Sequence, residues 1–274
     1  MVLGLITAFV TAICYGVASV LQALAARRTE VGGAVDPRVL VRMVKQLPYL
    51  IGLGLDGLGF SVSLVAMALL PLFLVEAVIA SSIGITAVLA VRFLDIVLSR
   101  LEKSAVVALI IGLALLALSA SPEDPQPLTD SGKVVLGVGF LLVLAFAGVV
   151  AKFGGQQIGI LLAVGAGLGF SGLGVAARTL VIPDDWWRVV FEINFYAIIL
   201  YGLLAMLLFT TALQRARVTS VMAVTFGLET ILPAAIGVAF LGDHARSGLV
   251  WAAVLGFVLA VISILVLARA QPEE

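Results

Sequence analysis

The sequence predicts an all-α integral membrane protein, an inverted-repeat helical bundle of about nine transmembrane helices. Three observations predict it. Of the 274 residues 62% are hydrophobic and 12% charged, with a mean hydropathy of +1.24, against roughly 25% charged residues in an average soluble domain. Nine apolar stretches long enough to cross a bilayer follow one another, separated by short polar connectors. Finally, motifs of the first half recur in the second in the same order.

The first span is Val2–Ala26. It starts at Met1 with no basic leader and no small-residue cleavage site, which predicts a retained helix and not a cleaved signal peptide. Cys14, Tyr15, Gly16, Ser19 and Gln22 make it more polar than lipid contact requires; small residues allow close helix approach, and Gln22 can hydrogen-bond across an interface. Cys14, the single cysteine, has no partner for an internal disulfide. Arg27–Gln46 is a basic connector with a short surface helix expected over Pro37–Gln46. The second span, Leu47–Leu70, carries Asp56 among Gly52, Gly54, Gly57 and Gly59. Asp56 reads either as a functional intramembrane acid or as a satisfied interhelical acceptor.

Pro71 suits the first turn of the third span, Pro71–Ile96, because that position needs no N–H donor. Glu76 near its start either stabilises the positive end of its own helix or lines an access path beside the polar face of Ser81, Ser82 and Thr86. Arg92, Asp95, Arg100, Glu102 and Lys103 then read as a solvated or headgroup-facing connector. Ser104–Ser119 is the fourth span, and an acidic Pro-rich loop follows it. Lys133–Val150, the fifth, has the fewest polar features and is expected at the periphery.

The sixth span, Gln157–Arg178, is dense in glycine from Gly159 to Gly174 and includes Ser171. Glycine runs of this kind occur in nucleotide-binding loops, but that chemistry needs a preceding strand and a soluble helix; close packing or substrate passage is the better reading here. Trp186 and Trp187 suit an interfacial anchor. The seventh span is Phe191–Leu213, with Glu192 and Asn194 at its start, and Gln214, Arg215 and Arg217 form a tight basic turn.

The eighth span, Val218–Gly242, holds Glu229 and Pro233 near its middle. Proline lacks the N–H that would bond the carbonyl four residues earlier, which is that of Glu229. Exposing such a charge to lipid costs roughly 3 kcal/mol or more, so Glu229 reads as a substrate- or proton-binding acid beside a Pro233 hinge, or as part of a packing kink bonded to a neighbouring helix. His244 falls in a turn, where a solvated role is the simpler one. Leu249–Leu267 is the ninth span.

Nine spans put the termini on opposite sides. Twelve Lys and Arg then fall on one side and four on the other, which places the N-terminus outside and the C-terminus in the cytoplasm of a plasma-membrane protein. The repeat aligns Gly4–Ala8 and Cys14–Gly16 with Gly159–Ala163 and Gly169–Ser171, Ala66–Ala77 with Ala212–Ala223, and Val91–Asp95 with Val238–Asp243. Corresponding spans lie five apart, so the units, 1–151 and 152–274, have opposite orientation, as in many secondary transporters. The central surface is expected from spans one to three and six to eight.

On these residues the chain resembles the drug/metabolite transporter superfamily, EamA-like branch. Leu228-Glu229, Gly237 and Leu241-Gly242-Asp243 are similar to that family's Leu-Glu-Pro, Gly and Leu-Gly-Glu pattern, with Thr230 in place of its proline and Asp243 in place of its last glutamate. Ala66–Val78 is similar to a stretch of the magnesium-associated NIPA-like branch, but that branch's Gly-Glu falls on Gly59-Phe60. The resemblance implies a secondary membrane transporter of small organic or lipid-linked metabolites. A divalent cation (magnesium) transporter and a non-transporting scaffold are the alternatives. Substrate-binding candidates are Glu229, Glu76, Asp56, Tyr15, Ser81, Ser82, Thr86 and Ser171, with Pro233 as hinge. The expected partners are a small-molecule or lipid-like substrate, a coupling proton and membrane lipids, with no nucleic acid; oligomeric state is left open. No cofactor or metal site is expected. No enzymatic activity is expected either, because the spans lack a His cluster, an H-E-x-x-H motif and a Ser/His pair.

Overall fold

A computed structural model describes residues 2–28, 38–69, 75, 78–79, 81–119, 129–153, 158–180, 190–240 and 245–269. Glu76, Trp186, Trp187, Asp243, His244 and the acidic loop after Ser119 lie outside them. The described residues form ten helices and no strand. In chain order these are α1 (Val2–Arg28), α2 (Arg38–Val44), α3 (Leu47–Leu69), α4 (Ser82–Phe93), α5 (Arg100–Ser119), α6 (Asp130–Val150), α7 (Ile158–Arg178), α8 (Ile193–Leu213), α9 (Val218–Phe240) and α10 (Val250–Arg269). Six of them, α1, α5, α6, α7, α8 and α10, are long and apolar enough to cross a membrane; α3, α4 and α9 carry shorter apolar stretches. The chain is thus a multi-pass, all-helical membrane bundle, and α2 is the short connector helix.

Local chemistry explains where the helices stop. Thr129 caps α6 by accepting the Gly132 N–H at 3.2 Å. The α4 helix begins at Ser82 and ends at Phe93, inside the expected Pro71–Ile96. After it the backbone turns at Asp95, whose φ of 53° is a left-handed conformation that aspartate tolerates. Leu94, Ile96 and Leu98 are buried while Phe93 and Val97 are exposed, so alternate side chains of this connector face inward. Arg92, Asp95, Arg100 and Lys103 are exposed, as expected of a solvated or headgroup-facing connector, and the expectation is corrected at Glu102, which is buried. Further on, α5 starts four residues before the expected Ser104, because Ser99 and Glu102 form a capping box: the Ser99 N–H donates to Glu102 Oε2 at 2.6 Å and the Glu102 N–H to Ser99 Oγ at 3.2 Å.

Packing follows a simple plan. α1 lies against α3 and α4, and α4 against α5; α7 lies against α8 and α9, and α9 against α10. Further contacts join these sets: α5 with α10, α4 with α9, α1 with α8, α5 with α9 and α1 with α9. α6 touches α7 and α8 at the edge, where the Tyr201 hydroxyl donates to the Leu136 carbonyl at 2.9 Å.

The α5–α10 contact is reciprocal. A Cβ on Gly112 would lie 2.8 Å from the Gly256 carbonyl oxygen and 2.9 Å from the Ala260 nitrogen; one on Gly256 would lie 2.7 Å from the Gly112 oxygen and 2.9 Å from the Leu116 nitrogen. The Arg246 N–H donates to the Ser119 carbonyl at 2.9 Å, so the end of α5 meets the start of α10 and the two helices run antiparallel. Each glycine is thus a point where backbone meets backbone, the means by which helices associate in lipid.

A side chain at either glycine should force the pair apart. Gly112→Val and Gly256→Val are each expected to lose about 1–3 kcal/mol, read as a lowered thermal midpoint of the purified protein. Gly137→Val on α6, where nothing lies within 4 Å of the added carbon, should stay near the parent.

Candidate functional site

The polar side chains of the bundle gather in three seams. The first joins α1 and α3. Thr11, Tyr15, Ala18 and Gln22 recur at helical spacing on α1, and Gly52, Asp56, Gly59 and Ser63 on α3. Gly52 packs on Ala18 and Gln22, and Gly59 on the Tyr15 ring, with an added Cβ meeting each at 2.8–3.1 Å. Thr11 donates to the Gly59 carbonyl at 3.2 Å. Between the two glycines Asp56 is half-buried and accepts a 2.5 Å hydrogen bond from Gln22 Nε2. Asp56 is thereby a satisfied interhelical acceptor in this conformation. Gly54 and Gly57, on the other side of α3, meet nothing within 4 Å.

The second seam joins α1 to α4. Gly16 admits the Ser82 carbonyl to within 3.2 Å of an added Cβ, and Thr86, fully buried, donates to the Gly16 carbonyl at 3.4 Å. Ser82 is 2% exposed, whereas Ser81 precedes the helix and donates to the Val78 carbonyl at 2.6 Å.

The third seam joins α7 to α9 and α8. Gly167 packs on Leu228 and the Thr225 carbonyl, Gly169 on Ala205, and an added Cβ at Gly172 would enter the Tyr201 ring. The α7 glycines therefore serve close packing. Ser171 donates to the carbonyls of Gly167 and Leu228 at 2.7 and 3.0 Å, and Thr225 to the Ala163 carbonyl at 3.3 Å. A Cβ on Gly174 would lie 3.9 Å from the Pro233 ring. Pro233 lies inside α9, and Glu229, one turn earlier, is half-buried at the middle of that helix. Asp56 and Glu229 belong to different seams, on helices α3 and α9.

A fourth polar group was missed in the sequence. At the end of the bundle where α1 and α4 finish and α5 and α9 begin, Arg217 donates from one guanidinium nitrogen to Glu102 Oε1 at 2.6 Å and from the other to the Val97 carbonyl. Both partners are buried, Glu102 7% and Arg217 8% exposed. Arg27 at the end of α1 donates to the Leu94 carbonyl at 3.1 Å. The Ser99-x-x-Glu102 spacing was the available signal, since a capping-box glutamate is held at its helix rather than released to water. At the opposite end Asn194 Nδ2 ties α8 to α7 through the carbonyl and hydroxyl of Thr179, each at 3.1 Å.

Comparison of the chain with protein-family models, curated proteins and solved structures gives no match.

Removing Gln22 leaves a half-buried carboxylate without its donor, which costs more than removing the carboxylate itself. Gln22→Leu is therefore expected to lower stability by about 1–3 kcal/mol and Asp56→Asn by less. The double variant Gln22→Leu/Asp56→Leu should recover most of the loss in the same thermal melts.

Proposed function

We propose that this protein is a secondary membrane transporter of small organic or lipid-linked metabolites, of the EamA-like drug/metabolite transporter kind, built from two inverted repeats of its nine spans. The observation that carries the reading is the matched packing of the two halves. The neighbours α1–α3, α1–α4 and α4–α5 are paralleled by α7–α8, α7–α9 and α9–α10. The helices that would correspond, α4 with α9 and α5 with α10, also touch each other. The same offset of 144 relates Gly112 to Gly256, Leu115 to Leu259 and Leu116 to Ala260, and exchanging the members of each pair reproduces the same contacts. Antiparallel helices exchanged in this way are related by a local two-fold axis across their length, the axis an inverted repeat requires.

The other seams support the same plan. Gly16 of α1 admits the backbone of α4, as Gly167 of α7 admits that of α9. In this reading Asp56 and Glu229 are the mid-depth acids available to a substrate or a coupling proton, Pro233 is the hinge of α9, and Tyr15, Ser82, Thr86 and Ser171 lie in the seams that rearrange. Ser81, just before α4, belongs to the approach from the far end, and Glu76 is proposed for the same path from its place in the sequence. Five positive residues at the ends of α1, α4 and α5 and in the α8–α9 turn, Arg27, Arg28, Arg92, Arg100 and Arg217, mark one end of the bundle as the basic one. In this reading that end faces the cytoplasm of a plasma-membrane protein and the N-terminus lies outside, because positive residues favour the cytoplasmic side.

The test is transport by reconstituted protein, screened by exchange against a cell extract and by isotope uptake of magnesium. Exchange of an organic solute is expected; saturable magnesium uptake lost with any one of the acids would replace this reading by a cation transporter. Glu229→Gln should then cut the initial rate at least about tenfold at unchanged folded yield, with a smaller loss and altered affinity for Pro233→Ala, whose N–H recaptures the Glu229 carbonyl. Equal losses of thermal stability in both variants, with the rate per folded molecule near the parent value, would reduce the pair to a packing kink.

A further inference from the structure

We infer that the buried ion pair between Glu102 and Arg217 is the latch of a gate at the basic end of the bundle, closed in this conformation and opened by separation of the α4–α5 connector from the start of α9. The inference rests on the transport reading above, but its test does not need a substrate.

Three features make the contact a latch. It joins the two halves of the chain: Glu102 belongs to the first turn of α5, and Arg217 immediately precedes α9. It is also over-determined. Glu102 uses one carboxylate oxygen for Arg217 and the other for the Ser99 N–H, while Arg217 takes the Val97 carbonyl with its second nitrogen. The carboxylate is thus oriented by its own helix cap before the arginine arrives. Arg27 adds the end of α1 through the Leu94 carbonyl, so the connector from Leu94 to Ser99 is held from two sides. Last, both ions are more than nine-tenths buried. An ion pair out of water adds little net stability over a well-packed apolar contact, yet losing one partner strands a charge and drives the site toward solvent. Such a pair discriminates between two arrangements: joined and dry, or apart and wet.

At the other end the sequence position that corresponds to Glu102 is held by a basic residue. The offset of 144 that takes Gly112 to Gly256 takes Glu102 to Arg246, whose N–H binds the Ser119 carbonyl. The latch therefore belongs to one end, and its opening changes the balance between the two. Ser220, 1% exposed, follows Arg217 by three residues in the first turn of α9 and reports on opening; Thr179, 3% exposed, reports on the opposite end.

The experiment uses the full-length protein in nanodiscs with Cys14→Ala as background and either Ser220→Cys or Thr179→Cys as the only thiol, labelled with a membrane-impermeant maleimide. Glu102→Gln is expected to raise the labelling rate at position 220 about tenfold or more by shifting the population toward the open arrangement, with no rise at position 179. The swapped pair Glu102→Arg/Arg217→Glu should return the rate at 220 most of the way toward the parent. Arg217→Lys keeps the charge but gives up the two-nitrogen geometry and should label at an intermediate rate; it takes the place of Glu102→Gln if that variant does not yield folded protein. An unchanged rate at 220 in a folded variant, or an equal rise at both positions, overturns the latch. Labelling that opens as expected in a protein that moves no solute would keep the latch and overturn the transporter.

Discussion

Helices in lipid gain nothing from hiding apolar surface from one another, because the surrounding chains are equally apolar; they associate where their backbones can come close. That constraint organises this bundle. In three helix pairs the hydroxyl contacts lie beside a glycine: Gly52 and Gly59 for α1 with α3, Gly16 for α1 with α4, Gly167 for α7 with α9. The hydroxyls then complete what the glycines begin. Thr11 and Thr86 donate to the carbonyls of Gly59 and Gly16, and Ser171 and Thr225 donate across the α7–α9 seam. Without a close approach those carbonyls would be out of a threonine's or serine's reach.

The charged groups divide by depth. Asp56, in the middle of α3, is met by a neutral amide, Gln22, so the seam can lose that bond without stranding a second charge. Glu102 is met by a guanidinium at the end of the bundle, near enough to the surface for water to receive both ions once they part. The first arrangement suits a group that exchanges partners, the second a contact with two discrete states. Glu229 shares the depth of Asp56 but lies in another helix, next to a residue that cannot donate to its carbonyl.

The fold was legible wherever one residue type forces one outcome. Apolar run length located the long helices, and the surface helix Arg38–Val44 falls within the span read from its breakers. Gln22 was legible as an interhelical donor because an amide in a span has few other uses. What periodicity does not convey is which face of a helix meets which neighbour. Four glycines around Asp56 look equivalent in the sequence, yet Gly52 and Gly59 are packed and Gly54 and Gly57 open. In the charge-rich stretch from Arg92 to Lys103, Arg92, Asp95, Arg100 and Lys103 are exposed as read, and Glu102 was misread because it was counted with them. The alternating Leu94, Ile96 and Leu98 of that stretch and its Ser99–Glu102 spacing mark an inward-facing segment followed by a capped helix. Arg217 gave no local sign, since its partner lies 115 residues earlier in the chain.

The antiparallel pair of α5 and α10 has a consequence for biogenesis. Helices α1 and α3, or α7 and α8, are made within moments of one another and can close as they enter the bilayer. Gly112 of α5 must wait for Gly256. About 130 residues separate the end of α5 from the start of α10, which is roughly 7–26 s of synthesis at about 5–20 residues per second. Through that interval the small-residue face of α5 has lipid or the insertion machinery for a neighbour, and a chain arrested before Val250 never covers it. Early quality control would meet the molecule in that half-closed form, with α10 as the helix that covers the exposed face of α5.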